Sequence, residues 1–248
     1  MGLELAGLEM RWVYLIGGAL TVAVAAIAWA AFPRYPSKVE QIKTLVLRRR
    51  YWLYYLLTFM SGARRQIFVV FAGFLMVEKF GYQASTITLL FMANCVINIF
   101  LAPRIGKLIG RWGERRALTI EYIGLIGVFT AYAFVDTAWL AAIIYIVDHM
   151  FFAMAIAINT YFQKIADPAD IASSAGVSFT ISHIAAVVIP AAFGFLWLVS
   201  PAAVFLLGAA MAGVSPGLAR LVPAAPSPGN TARSGGVSTA PGAAEEGG

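Results

Sequence analysis

The stretch Tyr51–Val77 reads YWLYYLLTFMSGARRQIFVVFAGFLMV. It is long enough to cross a hydrocarbon core of about 30 Å, and one pair of arginines is its only charge. Arg64 and Arg65 sit near its middle. A cation at that depth costs about 2.5–3.5 kcal/mol on insertion scales, so it turns to a polar cavity or to a partner. Neighbours on a helix point about 100° apart. One arginine is therefore expected to face a cavity while the other pairs or snorkels. Candidate partners at similar depth are Asn94, Asn98, Asp148, His149 and His183.

Composition extends the same reading to the whole chain. Of its 248 residues, 60% are hydrophobic and 12% charged, with a mean hydropathy of +0.80. A soluble domain carries about 25% charged residues, so this surface must face lipid. Six further apolar runs flank the first, at roughly 12–32, 83–103, 117–135, 138–162, 173–199 and 201–222. Each is near the length of a spanning helix. The breaks between them are short, as at Glu78–Gly81, Asp136-Thr137, Asp167–Asp170 and Ser200-Pro201, so consecutive helices are antiparallel neighbours. The expected fold is all-α: a polytopic transmembrane helical bundle of about seven spans.

Charge placement orients the bundle. With the N-terminus outside, the inside loops hold Arg34, Lys38, Lys43 and Arg48–Arg50, then Arg104, Lys107, Arg111, Arg115 and Arg116, then Lys164, Arg220 and Arg233. Only Arg11 and Lys79 fall outside. This is the bias of a membrane protein with its C-terminus in the cytoplasm, and the expected location is a bacterial inner membrane. The net charge of +6 gives no reason to expect nucleic acid, because the basic residues sit in short loops. The single cysteine, Cys95, excludes an intrachain disulfide and a Cys-based zinc site. No H-E-x-x-H, paired-carboxylate motif or nucleophile elbow is present, so neither an enzyme nor a metal or cofactor is expected.

Residues 36–50 form a basic linker after the first span, 1–35. Ser37 with Glu40 is a capping-box pattern, and Val39, Ile42 and Val46 share one helical face, which predicts a short amphipathic helix at the interface. The six-helix bundle would occupy 51–222. Residues 223–248, rich in Ala, Gly, Pro, Ser and Thr, are expected to form a disordered cytoplasmic tail.

The third and fourth runs are joined by Pro103-Arg-Ile-Gly-Lys-Leu-Ile-Gly-Arg-Trp-Gly-Glu-Arg-Arg-Ala-Leu118. Gly106, Gly110 and Gly113 suit a tight turn, and Arg111, Arg115 and Arg116 suit helix C-terminal carbonyls. The spacing resembles the signature loop of the major facilitator superfamily, G-x-L-A-D-R-x-G-R-R-x-x-L. Gly106, Leu108, Arg111, Gly113, Arg115 and Leu118 match it, while Ile109, Gly110 and Glu114 depart. The aspartate expected at 110 is missing, and Glu121 is a candidate substitute acid.

The order of elements resembles the C-terminal half of such a transporter preceded by its sixth helix. The resemblance implies an MFS-like half-transporter performing secondary active transport of a small solute across the lipid bilayer. It implies a gating role for Gly106, Arg111, Gly113 and Arg115, and two inverted three-helix repeats, roughly 51–135 and 138–222. Cavity residues would lie on the first helix of each repeat, where Arg64-Arg65 and Asp148-His149 stand. The substrate and proton pathway is thus expected to comprise Arg64, Arg65, Asn94, Asn98, Asp148, His149 and His183. Paired arginines suit an anionic solute; an Arg–Asp pair serving only to neutralise itself is the rival. Asn94 and Asn98 serve either as ligands or as interhelical hydrogen-bonding groups. His183 serves either proton movement or packing.

Half a facilitator lacks one cavity wall, so a missing N-terminal half or a second copy is the expected partner. The alternatives are an inactive truncated fragment and a seven-helix sensor or receptor. A retinal protein is excluded, because no lysine lies between Ile171 and Val222.

Overall fold

The computed structural model describes residues 10–32, 39–42 and 44–233. They form α1 (Met10–Ala31), α2 (Trp52–Gln66), α3 (Gly73–Phe80), α4 (Ala84–Trp112), α5 (Glu114–Phe134), α6 (Ala138–Phe152), α7 (Ile156–Ile165), α8 (Ile171–Val199) and α9 (Pro201–Leu221). Two pairs, α2 with α3 and α6 with α7, are each one span interrupted part-way. The described residues therefore contain seven helices long and apolar enough to cross a membrane. No strand runs through them; Ser227 and Asn230 make one isolated bridge.

Turn chemistry explains the corners. Gly81 ends α3 in the left-handed conformation, φ +67°. Ser200 caps α9 by accepting from the Ala203 N–H, with Pro201 at the first turn, where a missing N–H costs nothing. The same end of the bundle is tied by Lys79, whose Nζ donates to Val135 O at 2.6 Å and pairs with Asp136 at 2.8 Å. Trp197 Nε1 donates to Glu78 at 2.9 Å.

Packing divides the helices into an inner set and a peripheral set. α5 lies along α9 and α2 along α8. Small residues allow the second approach: a Cβ on Gly62 would meet the Ser182 backbone at 3.5 Å, and Tyr55 and Ser174 hydroxyls approach to 3.4 Å. Ser174 and Ser182 are thus packing positions. Two apolar clusters fill the interior, one around Phe68, Phe129, Tyr132 and Phe205 and the other around Tyr51, Tyr122, Tyr161 and Phe162. By contrast, no part of the Tyr14–Ala31 window is buried, and only 6% of the Ala84–Trp112 window is.

Three expectations are revised. The loop expected over 103–118 is mostly helix. α4 runs through Pro103 to Trp112, and Gly113 alone separates it from α5. Pro103 stands inside this helix, as prolines do in spanning helices more often than in soluble ones. Second, the amphipathic helix expected in the linker is absent from 39–42 and 44–48, which are irregular; Ser37 lies outside the described residues. The backbone there bonds to the start of α8 instead: Ile42 N–H donates to Ala169 O at 3.1 Å and Val46 N–H to Ser173 Oγ at 2.8 Å. Those long-range bonds replace the local ones a helix would make. Third, the tail is folded as far as residue 233. Asn230 Nδ2 donates to Ala225 O, Arg233 N–H donates to Leu221 O and Tyr161 Oη donates to Thr231 O.

Candidate functional site

Two adjacent residues on one helix meet opposite surroundings. Arg64 is fully buried, and Arg65 is exposed. The 100° offset between neighbours turns Arg64 into the bundle between α2 and α5. There its Nη2 lies 3.8 Å from Glu121 Oε1, with both side chains wholly inaccessible. The guanidinium also stacks over the Tyr122 ring, 4.3 Å from its centre. Asp148, 1% exposed on α6, lies within electrostatic reach of both Arg64 and Glu121.

The rival reading of an Arg–Asp pair meets a different partner for Arg64. The acid in contact is Glu121, because α5 rather than α6 presents its carboxylate to that face of α2. Asp148 completes a group of two acids and one base. The group is under-bonded: the three nitrogens of Arg64, both oxygens of Glu121 and Asp148 Oδ1 make no hydrogen bond among the described residues. A separation of 3.8 Å is too long for one. Such atoms at the centre of a helical bundle are what a water, a proton or a movement of the helices would satisfy.

Just beyond the charges, both spans lose regular α geometry. The span widens to a π-helical turn over Ile67–Ala72 after Arg64-Arg65. It tightens to a 3-10 turn over Ala153–Ala155 after Asp148-His149. Such interruptions free backbone groups and place hinges in otherwise stiff helices.

The remaining sequence candidates face outward or sit at its rim. Arg65 has no carboxylate partner among the described residues; its guanidinium is 5.9 Å from the Phe152 ring centre. His149 is half-buried, its Nδ1 donating to Tyr145 O at 3.0 Å while lying 3.8 Å from Asp148 Oδ2. Asn94 is buried with both amide atoms unpaired, and Asn98, one turn on, is exposed. Asn94, Asn98, His149 and Met150 border one shallow depression between α4 and α6. His183 stands apart on α8, exposed, with Nδ1 donating to Phe179 O at 2.9 Å and its ring stacked on Phe179.

At the basic end, Gly113 makes the one-residue turn between α4 and α5 with φ +81° and ψ 157°, a conformation open to glycine alone. Gly106 lies within α4, Arg111 is exposed, and Arg115 is half-buried. Glu114, the departure from the signature pattern, is buried and pairs with Lys164 of α7 at 2.6 Å. It joins the corner between α4 and α5 to α7. Asp170 does the same for the linker: Arg48 reaches its Oδ1 at 3.1 Å, Arg50 its Oδ2 at 2.6 Å, and Tyr51 Oη donates to Oδ2 at 3.1 Å. Sequence reasoning did not single out Asp170 or Lys164. For Asp170 the available signal was an acid at a loop edge opposite the basic block Arg48–Arg50, whereas Lys164 meets a basic segment in which Glu114 is the only acid, so no such signal marked it.

The model of the family described as Major Facilitator Superfamily matches residues 2–190. No curated protein and no solved structure matches the chain. The matched span runs from before α1 into α8 and contains both charged first helices and the glycine corner. The chain is thus an integral membrane protein belonging to the Major Facilitator Superfamily, whose members carry small solutes across the lipid bilayer.

Proposed function

We propose that the chain forms one half of a secondary active transporter for a small anionic solute, with the two arginines dividing the work. The observation that carries this reading is the contrast between Arg64, buried beside Glu121, and Arg65, exposed at mid-span with no acid partner among the described residues. An unpaired guanidinium at that depth suits the carboxylate or phosphate group of a solute, which it can bind in bidentate fashion. His149 lies within electrostatic reach of Arg65 and shares a depression with Asn98. Arg64, Glu121 and Asp148 form the coupling centre. Two carboxylates against one guanidinium leave one negative charge in a water-poor interior, and a bound proton balances it. Binding and release of that proton would then alternate with movement at the interrupted helices.

The exposed α4 and α8 faces carry Asn98 and His183. A companion half, or a second copy of this chain, would cover these polar groups as lipid cannot. Uptake of labelled mono- and dicarboxylates and sugar phosphates tests the proposal. It is measured in membrane vesicles from the cells that make the chain, where any companion is present. The expected result is chain-dependent accumulation of at least one anion, lost in Arg65→Gln with unchanged protein level. Accumulation confined to neutral or cationic solutes would refute it.

A further inference from the structure

A recess of about 490 Å³ opens at the basic end, lined by Arg48, Arg49, Arg50, Asp167 and Asp170 together with Ile42 and Ala169. It exists because the linker lies against the corner between α7 and α8. Gln41 Nε2 donates to Pro168 O at 2.7 Å, and Ala172 N–H donates to Gln41 Oε1 at 3.3 Å. Leu45 packs where a side chain on Gly176 would stand.

The donors are unevenly spent. Asp170 takes Nε and Nη2 of Arg48 and Nη2 of Arg50. Asp167 Oδ1 accepts from the Ala169 N–H, and its Oδ2 is 3.6 Å from Arg50. Arg49 is exposed and has no partner among the described residues. Three arginines against two aspartates leave the recess one positive charge. Its remaining N–H groups belong to planar guanidinium forks, the geometry that suits phosphate oxygens.

We propose that this recess binds a phosphodiester monoanion, and that the source is the headgroup of an anionic membrane lipid. A single negative charge matches the single excess positive one. The site also lies where the spans Arg49–Phe80 and Pro168–Val199 begin, at headgroup depth. Leu45, Leu47 and Trp52, on either side of the arginines, are 66%, 68% and 46% exposed. These apolar groups have water or acyl chains as their alternatives, and insertion beside a basic cluster is how a juxtamembrane segment holds anionic lipid. The bound lipid would fasten the linker to α8 and so link this corner to membrane composition. This site is separate from the mid-span centre and does not rest on it.

The test uses the purified full chain in mixed micelles, with bound lipid counted by native mass spectrometry and stability followed by thermal unfolding. Phosphatidylglycerol is the probe, phosphatidylcholine the zwitterionic comparator and inorganic phosphate the free-anion comparator. Phosphatidylglycerol should bind and raise the unfolding midpoint. Losing one charge-assisted fork should weaken binding about tenfold in Arg49→Gln. Arg49→Lys should lose less, and Arg220→Gln, outside the recess, should match the parent. Arg49 holds no other group, so these variants leave the fold intact. Equal lipid binding in Arg49→Gln, or equal protection by phosphatidylcholine, would overturn the proposal. Equal protection by inorganic phosphate alone would overturn the lipid as source.

Discussion

Arg64 and Arg65 are chemically identical and adjacent, yet only one is held inside the bundle. Burial removes a guanidinium from water, and in compensation Arg64 has Glu121 at 3.8 Å, the Tyr122 ring and the field of Asp148. Breaking such a pair from one side leaves an uncompensated charge, which costs about 3–5 kcal/mol. Arg64→Gln should therefore lower the yield of folded protein sharply, because it strands two acids. Glu121→Gln should do less harm, since Asp148 still faces the guanidinium. The double variant should recover most of the loss. Thermal unfolding in detergent, arranged as a double-mutant cycle, measures this. Losses that simply add would mean that the two side chains do not form a unit. The sequence placed the arginines, Asp148 and both asparagines at mid-depth. It named Asp148 among the candidate partners and offered Glu121 only as a stand-in for the missing loop aspartate, so the contacting acid was missed. Which acid makes contact depends on how α2, α5 and α6 are rotated about their axes, which no local spacing encodes.

At the scale of elements, the spans and most corners were legible because bilayer thickness sets helix length and because Gly81, Pro201 and the basic blocks punctuate the chain. The π turn at Ile67–Ala72 and the 3-10 turn at Ala153–Ala155 were not. Neither contains glycine or proline, so nothing local marks them. The linker misled for a related reason: its capping pattern is real, but bonds to Ala169 and Ser173, far away in sequence, prevail over helix formation. The glycine corner is sharper than the motif suggests. A side chain at Gly113 would meet nothing within 4 Å, yet φ is +81°. Gly113→Ala should thus cost about 1–3 kcal/mol through backbone strain alone. Gly106→Ala, inside regular helix and equally uncrowded, should be neutral or stabilising by about 0.5–1 kcal/mol. Denaturation midpoints of the two variants check the contrast, and equal effects would contradict it.

As a whole molecule, the chain is a bundle with a charged centre, an exposed polar side and two ends tied by ion pairs. Lys79–Asp136 closes one end, while Lys164–Glu114 and the Asp170 arginines close the other. Lys79–Asp136 is exposed on both sides and contributes little, about 0–1 kcal/mol, so it can re-form as helices move, whereas Glu114 and Asp170 are buried acids held by half-exposed bases. The buried centre cannot exchange partners so freely, and this makes it suited to coupling. Membership of the Major Facilitator Superfamily places the molecule among proteins that carry small solutes across membranes. Under the function proposed above, the proton that balances Arg64, Glu121 and Asp148 drives that transport. The most direct measurement is the pH of lightly buffered vesicles on addition of a transported anion. Protons should enter with the solute in the parent chain. In Glu121→Gln, the solute should still bind and equilibrate, but without proton entry and without accumulation against a gradient. Accumulation in that variant with the parent's proton-to-solute ratio would contradict the account.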